Sequence, residues 1–352
     1  MKIVSIVGTR PQFLKMIPLN IEFEKMSNIE SIIVHTGQHY DNNMSSDLFN
    51  SLNVKMPKYI LKRKGQTAIE TITNMMLGIE KIIHNEKPDI IIVFGDCDTT
   101  TAGAFVANKN HIYLIHIESG MRSYNKKMPE EINRLIVDNI SDLLLCSTKD
   151  SLQKLKIENI NTPSFFIGNL QLDLLNIVTQ KYSNISILNK LDLKENNYVL
   201  LTIHRAYNTN EKKIKEIFKN LEKITFKIVF PIHPRTNNVL KNKNIIIPNN
   251  LILISPVNYI DMIALERYSK YIITDSGGIQ PEAYFLEKKC IVMRSETEWI
   301  EPIENNNNIL YDYKTPLNEF IDKFLKVKVT KKCNKSNASS NIVNIINNLK
   351  LS

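Results

Sequence analysis

The feature that most constrains this chain is a regular alternation of short apolar runs with helical patterns. Lys2–Val7 reads as a strand, Pro11–Met26 as a helix and Ser31–Thr36 as a strand. An amphipathic helix pattern over Thr67–Asn85 precedes a strand at Asp89–Phe94. Thr99–Lys109, Ile112–Ile117, Pro129–Ile140 and Asp142–Cys146 continue the alternation. The strand runs are near-continuous in Ile, Val and Leu, which marks strands buried on both faces. Interleaved with helices, they predict a parallel sheet covered on both sides. After Phe165-Phe166-Ile167-Gly168-Asn169 the pattern weakens over the polar stretch Gln180 to Asn197, read as a linker. It then restarts with Tyr198–Ile203, Asn210–Ile224, Lys227–Ile232, Leu251–Ser255, Tyr259–Lys270 and Tyr271–Asp275. Gln280–Glu287, Cys290–Met293 and Ile309–Tyr311 complete it, before a polar tail at Lys331 to Ser340 and a short helix at Asn341–Leu349. The expectation is an α/β protein of two doubly wound domains. Ligands of such sheets bind at the carboxyl ends of strands, and the cleft between two domains is the expected site.

Length and composition agree. A chain of 352 residues with 43% hydrophobic residues has room for two cores of ordinary size. The formal net charge of +9 admits nucleic acid, a membrane surface or a small anion as partner. Lys is scattered rather than clustered, and no zinc-finger, RNA-recognition or basic-helix signature appears, so a small anionic ligand is favoured. The four cysteines, Cys97, Cys146, Cys290 and Cys333, lack metal-ligand spacing and read as reduced structural thiols. Met1-Lys2-Ile3-Val4 starts directly as a strand, without a signal-peptide pattern. No apolar run reaches the roughly 18 residues of a membrane span. A cytoplasmic location follows as the expectation.

The polar residues of interest fall at strand ends. Tyr271–Ile273 runs into Thr274-Asp275-Ser276-Gly277-Gly278, and a helix pattern with Glu282 follows. Two glycines at a strand-to-helix turn let a ligand approach the backbone, and the helix start favours a phosphate. Glu282 can accept hydrogen bonds from two ribose hydroxyls. Gly8-Thr9-Arg10-Pro11 ends the first strand, where Arg10 is a candidate phosphate clamp. That turn is not G-x-G-x-x-G, which argues against a dinucleotide cofactor. His35-Thr36-Gly37-Gln38-His39-Tyr40 reads as a binding loop rather than a metal site. Asp96, Glu118 and the Glu130-Glu131 pair sit at successive strand ends or helix starts. Glu130 and Glu131 are either ordinary helix-dipole complements or part of a set of carboxylates from adjacent strand ends converging on one cleft, where crowding raises a pKa and suits acid–base work. His204 and His233 each end a strand, as structural histidines or as phosphate donors and proton shuttles.

In combination these residues resemble the non-hydrolysing UDP-N-acetylglucosamine 2-epimerases. The resemblance rests on GTRPQFLK (Gly8–Lys15), TGQHYD (Thr36–Asp41), GDCDTTTAG (Gly95–Gly103) and HIESGMRS (His116–Ser123). MPEEINR (Met128–Arg134), IGN (Ile167–Asn169), TIHRAYNT (Thr202–Thr209) and DSGGIQPEA (Asp275–Ala283) extend it over nearly the whole chain, in the family's order. It implies two facing Rossmann-like domains of the GT-B type, spanning 1–170 and 171–335. Residues 336–352 would hold a helix crossing back to the first domain. It also implies a homodimer, for which the Thr67–Asn85 helix is one candidate surface, and a UDP-sugar substrate without cofactor or metal. The reaction would eliminate UDP across C1–C2 to a 2-acetamidoglycal and add it back. By resemblance Asp96, Glu118, Glu130 and His204 are catalytic. Arg10, Ser276, Gly277 and Gly278 contact the diphosphate, and Glu282 the ribose. Lys15, Gln38, His39, Arg134, His233 and Arg294 are further substrate-binding candidates. Cys97 and Asp98 interrupt the threonine run of the family's best-known branch, Ala206-Tyr207-Asn208 replaces its Arg-Glu pair, and Trp299 stands where arginine is common. His233-Pro234-Arg235-Thr236 and the Glu296-Thr297-Glu298-Trp299 run look more like a branch acting on modified UDP-sugars, such as a diacetamido uronate, with 6-deoxy acetamido sugars, including L-sugars, as the further alternatives. A GT-B glycosyltransferase, a hydrolysing epimerase and a non-catalytic nucleotide-sugar sensor are the alternatives.

Overall fold

The computed structural model describes residues 1–38, 49–50, 52, 54–181, 186–297, 299–330 and 336–349, with the backbone alone at 234 and 235. The chain divides into two compact units. The first comprises Met1–Ile177 and Ser336–Ser352, and the second Val178–Lys335.

In the first unit the elements run β1 (Lys2–Val7), α1 (Arg10–Phe23), β2 (Glu30–His35), β3 (Tyr59–Ile60), α2 (Ala68–Glu86), β4 (Ile90–Phe94) and α3 (Asp98–Lys109). They continue with β5 (Tyr113–Ile117), α4 (Pro129–Ile140), β6 (Leu143–Cys146), α5 (Lys149–Ile157), β7 (Ser164–Phe166) and α6 (Leu170–Lys181). The seven strands form one parallel sheet in the order β3-β2-β1-β4-β5-β6-β7. Strand order reverses between β1 and β4, so the turns after these two strands flank the switch point where such sheets take ligands. Each of the five residues of β4 is fully buried, as its unbroken apolar sequence requires.

The second unit contains α7 (Ser186–Lys190), β8 (Tyr198–Thr202), α8 (Ala206–Thr209), α9 (Glu211–Leu221), β9 (Lys227–Pro231), α10 (Pro234–Asn242) and β10 (Leu251–Ile254). Then follow α11 (Tyr259–Tyr268), β11 (Tyr271–Thr274), α12 (Ile279–Phe285), β12 (Cys290–Val292), α13 (Ile300–Glu304), β13 (Asn308–Leu310) and α14 (Leu317–Lys326). Its six parallel strands are ordered β10-β9-β8-β11-β12-β13, with the switch point between β8 and β11. Tyr198 and Leu200 enter the core on one face, Val199 and Leu201 the core on the other. The period of two along a strand separates them.

The polar stretch read as a linker is partly helical. Helix α6 continues to Lys181, and α7 buries Ile187 and Leu188. The final helix, α15 (Ala338–Asn347), packs on α1 and buries Ile342, Val343 and Ile346. Its start is tied down by Asp173, whose Oδ2 accepts from Ser339 N and Oγ, each at 2.7 Å. Ile342→Ala should therefore cost about 2–4 kcal/mol, read from urea unfolding. An unchanged midpoint would show that α15 is no part of the first unit's core.

Candidate active site

Two glutamine side chains position the strand ends of the first unit. Gln12 Oε1 accepts from Gly8 N at 2.7 Å and Thr9 N at 3.2 Å, while its Nε2 donates to Phe94 O at 2.7 Å and Thr100 Oγ1 at 3.1 Å. All four hydrogen bonds of this buried amide are made, and they staple the turn after β1 to the end of β4. Gln38 Oε1 accepts from Thr99 N at 3.0 Å and Thr99 Oγ1 at 2.7 Å, so its carbonyl caps α3. Arg10 is exposed at the first position of α1.

The carboxylates lie around the turn after β4. Gly95 has φ +65° and carries the chain into Asp96. Arg134 Nε donates to Asp96 Oδ2 at 3.0 Å, with Nη2 bonded to the same oxygen. Asn133 Nδ2 donates to Asp96 O at 2.9 Å, so α4 grips both the backbone and the side chain of Asp96. On the next strand, Glu118 follows β5 with φ +70°, a left-handed conformation that a non-glycine residue adopts at a cost. Its Oε2 is bonded to Lys15 Nζ from α1. A Cβ added to Gly95 would stand 3.2 Å from that Oε2 and 3.8 Å from Lys15 Nζ, which places the two carboxylate-bearing turns side by side. Glu130 is exposed in the first turn of α4, four residues before Arg134 and so on the same helix face.

In the second unit the centre is Asp275. This fully buried carboxylate accepts from His204 N at 3.1 Å, Arg205 N at 3.0 Å and Asn208 Nδ2 at 3.0 Å. His204 Nδ1 lies 3.1 Å from its Oδ1. A carboxylate only accepts, so the Nδ1 hydrogen sits on that side and Nε2 is turned away from it. The His233 ring stacks beside His204 with centroids 6.2 Å apart. Burial alone would push the Asp275 carboxyl up. The hydrogen bonds from His204, Asn208 and Arg205 outweigh it and hold the group below the ordinary aspartate value. Neither Gly277 nor Gly278 has a positive φ. A Cβ on Gly278 would meet only Ser276 Oγ, at 3.9 Å, so this turn faces open space that a ligand can enter. Glu282 is buried in the helix that follows. At the carboxyl ends of β9 and β10 a cavity of about 310 Å³ is lined by Ile232, Asn237, Asn238, Leu253, Ile254 and Ser255, closed by Pro256.

Known proteins share this arrangement of strands and motifs. The family described as UDP-N-acetylglucosamine 2-epimerase matches residues 21–347. The chain belongs to that family. It is accordingly an isomerase. A Methanococcus maripaludis protein named UDP-N-acetylglucosamine 2-epimerase homolog is 41% identical over 360 residues, covering 99% of this chain and 100% of the relative. The UDP-2,3-diacetamido-2,3-dideoxy-D-glucuronate 2-epimerase of Pseudomonas aeruginosa is 37% identical over 88% of each chain. The crystal structure of Methanocaldococcus jannaschii UDP-GlcNAc 2-epimerase in complex with UDP-GlcNAc and UDP matches with a TM-score of 0.84 and 36% identity, covering 99% of each chain.

This epimerase brings together Asp96 with Arg134 and Glu118 with Lys15. The expected crowding of unopposed carboxylates is replaced by two carboxylates each facing its own cation. Glu131, the neighbour of Glu130, is buried and structural. It accepts from Ser123 N at 2.8 Å, Tyr124 N at 3.0 Å and Arg134 Nη1 at 3.0 Å. Burial would raise its pKa, but the Ser123 and Arg134 donors lower it below the usual glutamate value. His35 is a core histidine, stacked edge-on against Phe13, and burial lowers its pKa. His39 lies outside the described residues. Of the motif departures, Asn208 supports Asp275 and also donates to Met293 O at 2.9 Å, whereas Tyr207 is half-exposed beside Arg294. Among the described residues no group of three or more His, Cys, Asp or Glu is placed to hold a metal. Among the same residues no helix is long and apolar enough to cross a membrane.

Asp275 was given no role of its own from sequence, although it directly follows β11 and opens the Ser-Gly-Gly turn. Asp138 on α4 is likewise buried, accepting from His116 Nδ1 and Arg122 Nη1, each at 2.7 Å. Burial pushes its carboxyl up, and the His116 and Arg122 contacts bring it below the ordinary value. Because the folded values of Glu131, Asp138 and Asp275 are depressed, their stabilisation is present above the unfolded pKa of about 4 and is lost as pH falls through the folded values. The melting temperature should stay level near neutrality and drop in acid. Asp275→Asn should melt below wild type at pH 7, and the gap should narrow toward pH 3. A gap that widens in acid would contradict this assignment.

Proposed function

We propose that this epimerase inverts C2 of a UDP-linked 2-acetamido sugar by eliminating UDP and adding it back. The observation that carries the reading is the pair of cation-bound carboxylates on adjacent strand ends, Asp96 with Arg134 and Glu118 with Lys15. C2 of the sugar lies next to no carbonyl, so its proton leaves only if a bond breaks in concert. A carboxylate takes the C2 proton, the C2–H electrons form the C1=C2 bond, and UDP departs from C1 with the C1–O pair. In the reverse step a proton returns to C2 from the opposite face and the phosphate oxygen attacks C1. The sequence is redox-neutral and balances without an added oxidant. Asp96, Glu118 and Glu130 are assigned to the proton steps, and the cations beside the first two hold them in place.

The second unit is assigned to UDP. There the Ser276-Gly277-Gly278 turn and Arg294 bind the diphosphate, and Glu282 accepts from the ribose hydroxyls, while Arg10 is the first unit's own candidate phosphate contact. The cavity beside Ser255 takes the base. His204, held by Asp275 with Nε2 turned away, donates to the departing phosphate, with His233 beside it. Lys15, Gln38, His39 and Arg134 complete the sugar side. The relatives support two substrates, UDP-N-acetylglucosamine and its 2,3-diacetamido uronate.

Asp96→Asn should lower turnover by about 10²–10⁴-fold, the usual contribution of a positioned acid or base, while leaving UDP affinity within about threefold of wild type. Glu282→Ala should weaken UDP binding by roughly 10–100-fold, as expected for a lost charged hydrogen bond. Calorimetry with UDP and turnover of both sugars give the two numbers. Full turnover in Asp96→Asn would remove the role given to it. UDP release that requires an acceptor would instead favour a GT-B glycosyltransferase.

A further inference from the structure

His116 is the largest piece of buried polar machinery that the proposed reaction does not use. It lies on β5, two residues before Glu118, and its side chain is fully buried. Both ring nitrogens face acceptors. Nδ1 is 2.7 Å from Asp138 Oδ1, and Nε2 is 2.8 Å from Gly95 O. A neutral imidazole has one N–H, so satisfying both acceptors requires a hydrogen on each nitrogen. The resulting positive ring sits against Asp138, which also accepts from Gly120 N at 3.1 Å and from Arg122 Nη1. Arg122 in turn is gripped by Glu158, at 2.8 and 2.9 Å from Nε. The network is complete, so the ring has no freedom to rotate.

Its consequence is felt at Gly95. The amide of Gly95 donates to Ile117 O at 2.9 Å, and its carbonyl accepts from His116. Both backbone groups of this left-handed glycine are therefore held by β5. The next residue is Asp96. We propose that His116 is a positioning residue for the epimerisation, clamping the Gly95 carbonyl so that Asp96 leaves β4 in the direction that Arg134 and the substrate require. The inference rests on the role proposed for Asp96. Without the clamp the Gly95 carbonyl loses its hold on β5 and the Gly95–Asp96 peptide can tilt, and small displacements of a reacting group lower turnover steeply.

The competing role for His116 is to balance the buried charge of Asp138. Two substitutions separate the roles. The amide nitrogen of asparagine reaches the place of Nδ1, and that of glutamine the place of Nε2. His116→Asn keeps the bond to Asp138 and drops the Gly95 clamp, whereas His116→Gln keeps the clamp and drops Asp138. The clamp predicts that His116→Asn loses turnover by on the order of 100-fold with unchanged UDP affinity, and that His116→Gln stays within about fivefold of wild type. Equal losses that track the melting temperature, or a larger loss in His116→Gln, would overturn it. Wild type, without any variant, gives a second test. Its ¹H–¹⁵N spectrum should show both His116 ring hydrogens protected from exchange, and absence of the Nε2 hydrogen would also overturn the clamp. Asp96→Asn is run beside these variants. An active Asp96→Asn would sink the reading of Asp96, whereas an inactive one beside a fully active His116→Asn would sink the clamp alone.

Discussion

Two buried carboxylates, Asp138 and Asp275, organise the working ends of the two sheets. An isolated carboxylate in a protein interior is expensive, and it persists only where donors converge on it. Each of these collects a backbone amide near a strand end, a neighbouring polar side chain and a histidine. The loops around them are thereby fixed by electrostatics rather than by apolar packing, which suits loops that must stay polar on their outer side. Remove either carboxylate and several donors are left unpaired at once, so these are points where a small chemical change has a large structural reach.

The same logic separates residues that look alike. Glu130 and Glu131 are adjacent in sequence, yet one is exposed and the other buried under donors from Ser123, Tyr124 and Arg134. Arg134 links the structural glutamate to Asp96, so α4 acts as a lever that reads the 123–124 turn and sets the carboxylate. Glu118, in a left-handed conformation, puts backbone strain directly at one of the carboxylates.

Much of this was legible in the sequence, because parallel strands buried on both faces leave an unmistakable run of Ile, Val and Leu. Strand β3, only Tyr59–Ile60, left no such run, and Lys149–Ile157 is too rich in lysine for its apolar face to stand out. The polar stretch between the units hid the buried pair Ile187 and Leu188. The motif residues were found from their places at strand ends. Their pairing was not, since Lys15 and Glu118 are 103 positions apart and Arg134 and Asp96 are 38 apart, and pairing at that range is set by the fold. Asp138 and Asp275 escaped for the same reason. Burial of a carboxylate has no local signature.

The central claim is that C2 is inverted through loss and return of its proton. It is tested most directly by proton NMR in D₂O, with UDP-N-acetylglucosamine and then its 2,3-diacetamido uronate, without acceptor or added cofactor. The expected result is a C2-epimeric UDP-sugar carrying deuterium at C2. Free sugar together with UDP, or an epimer that keeps its original proton, would contradict it.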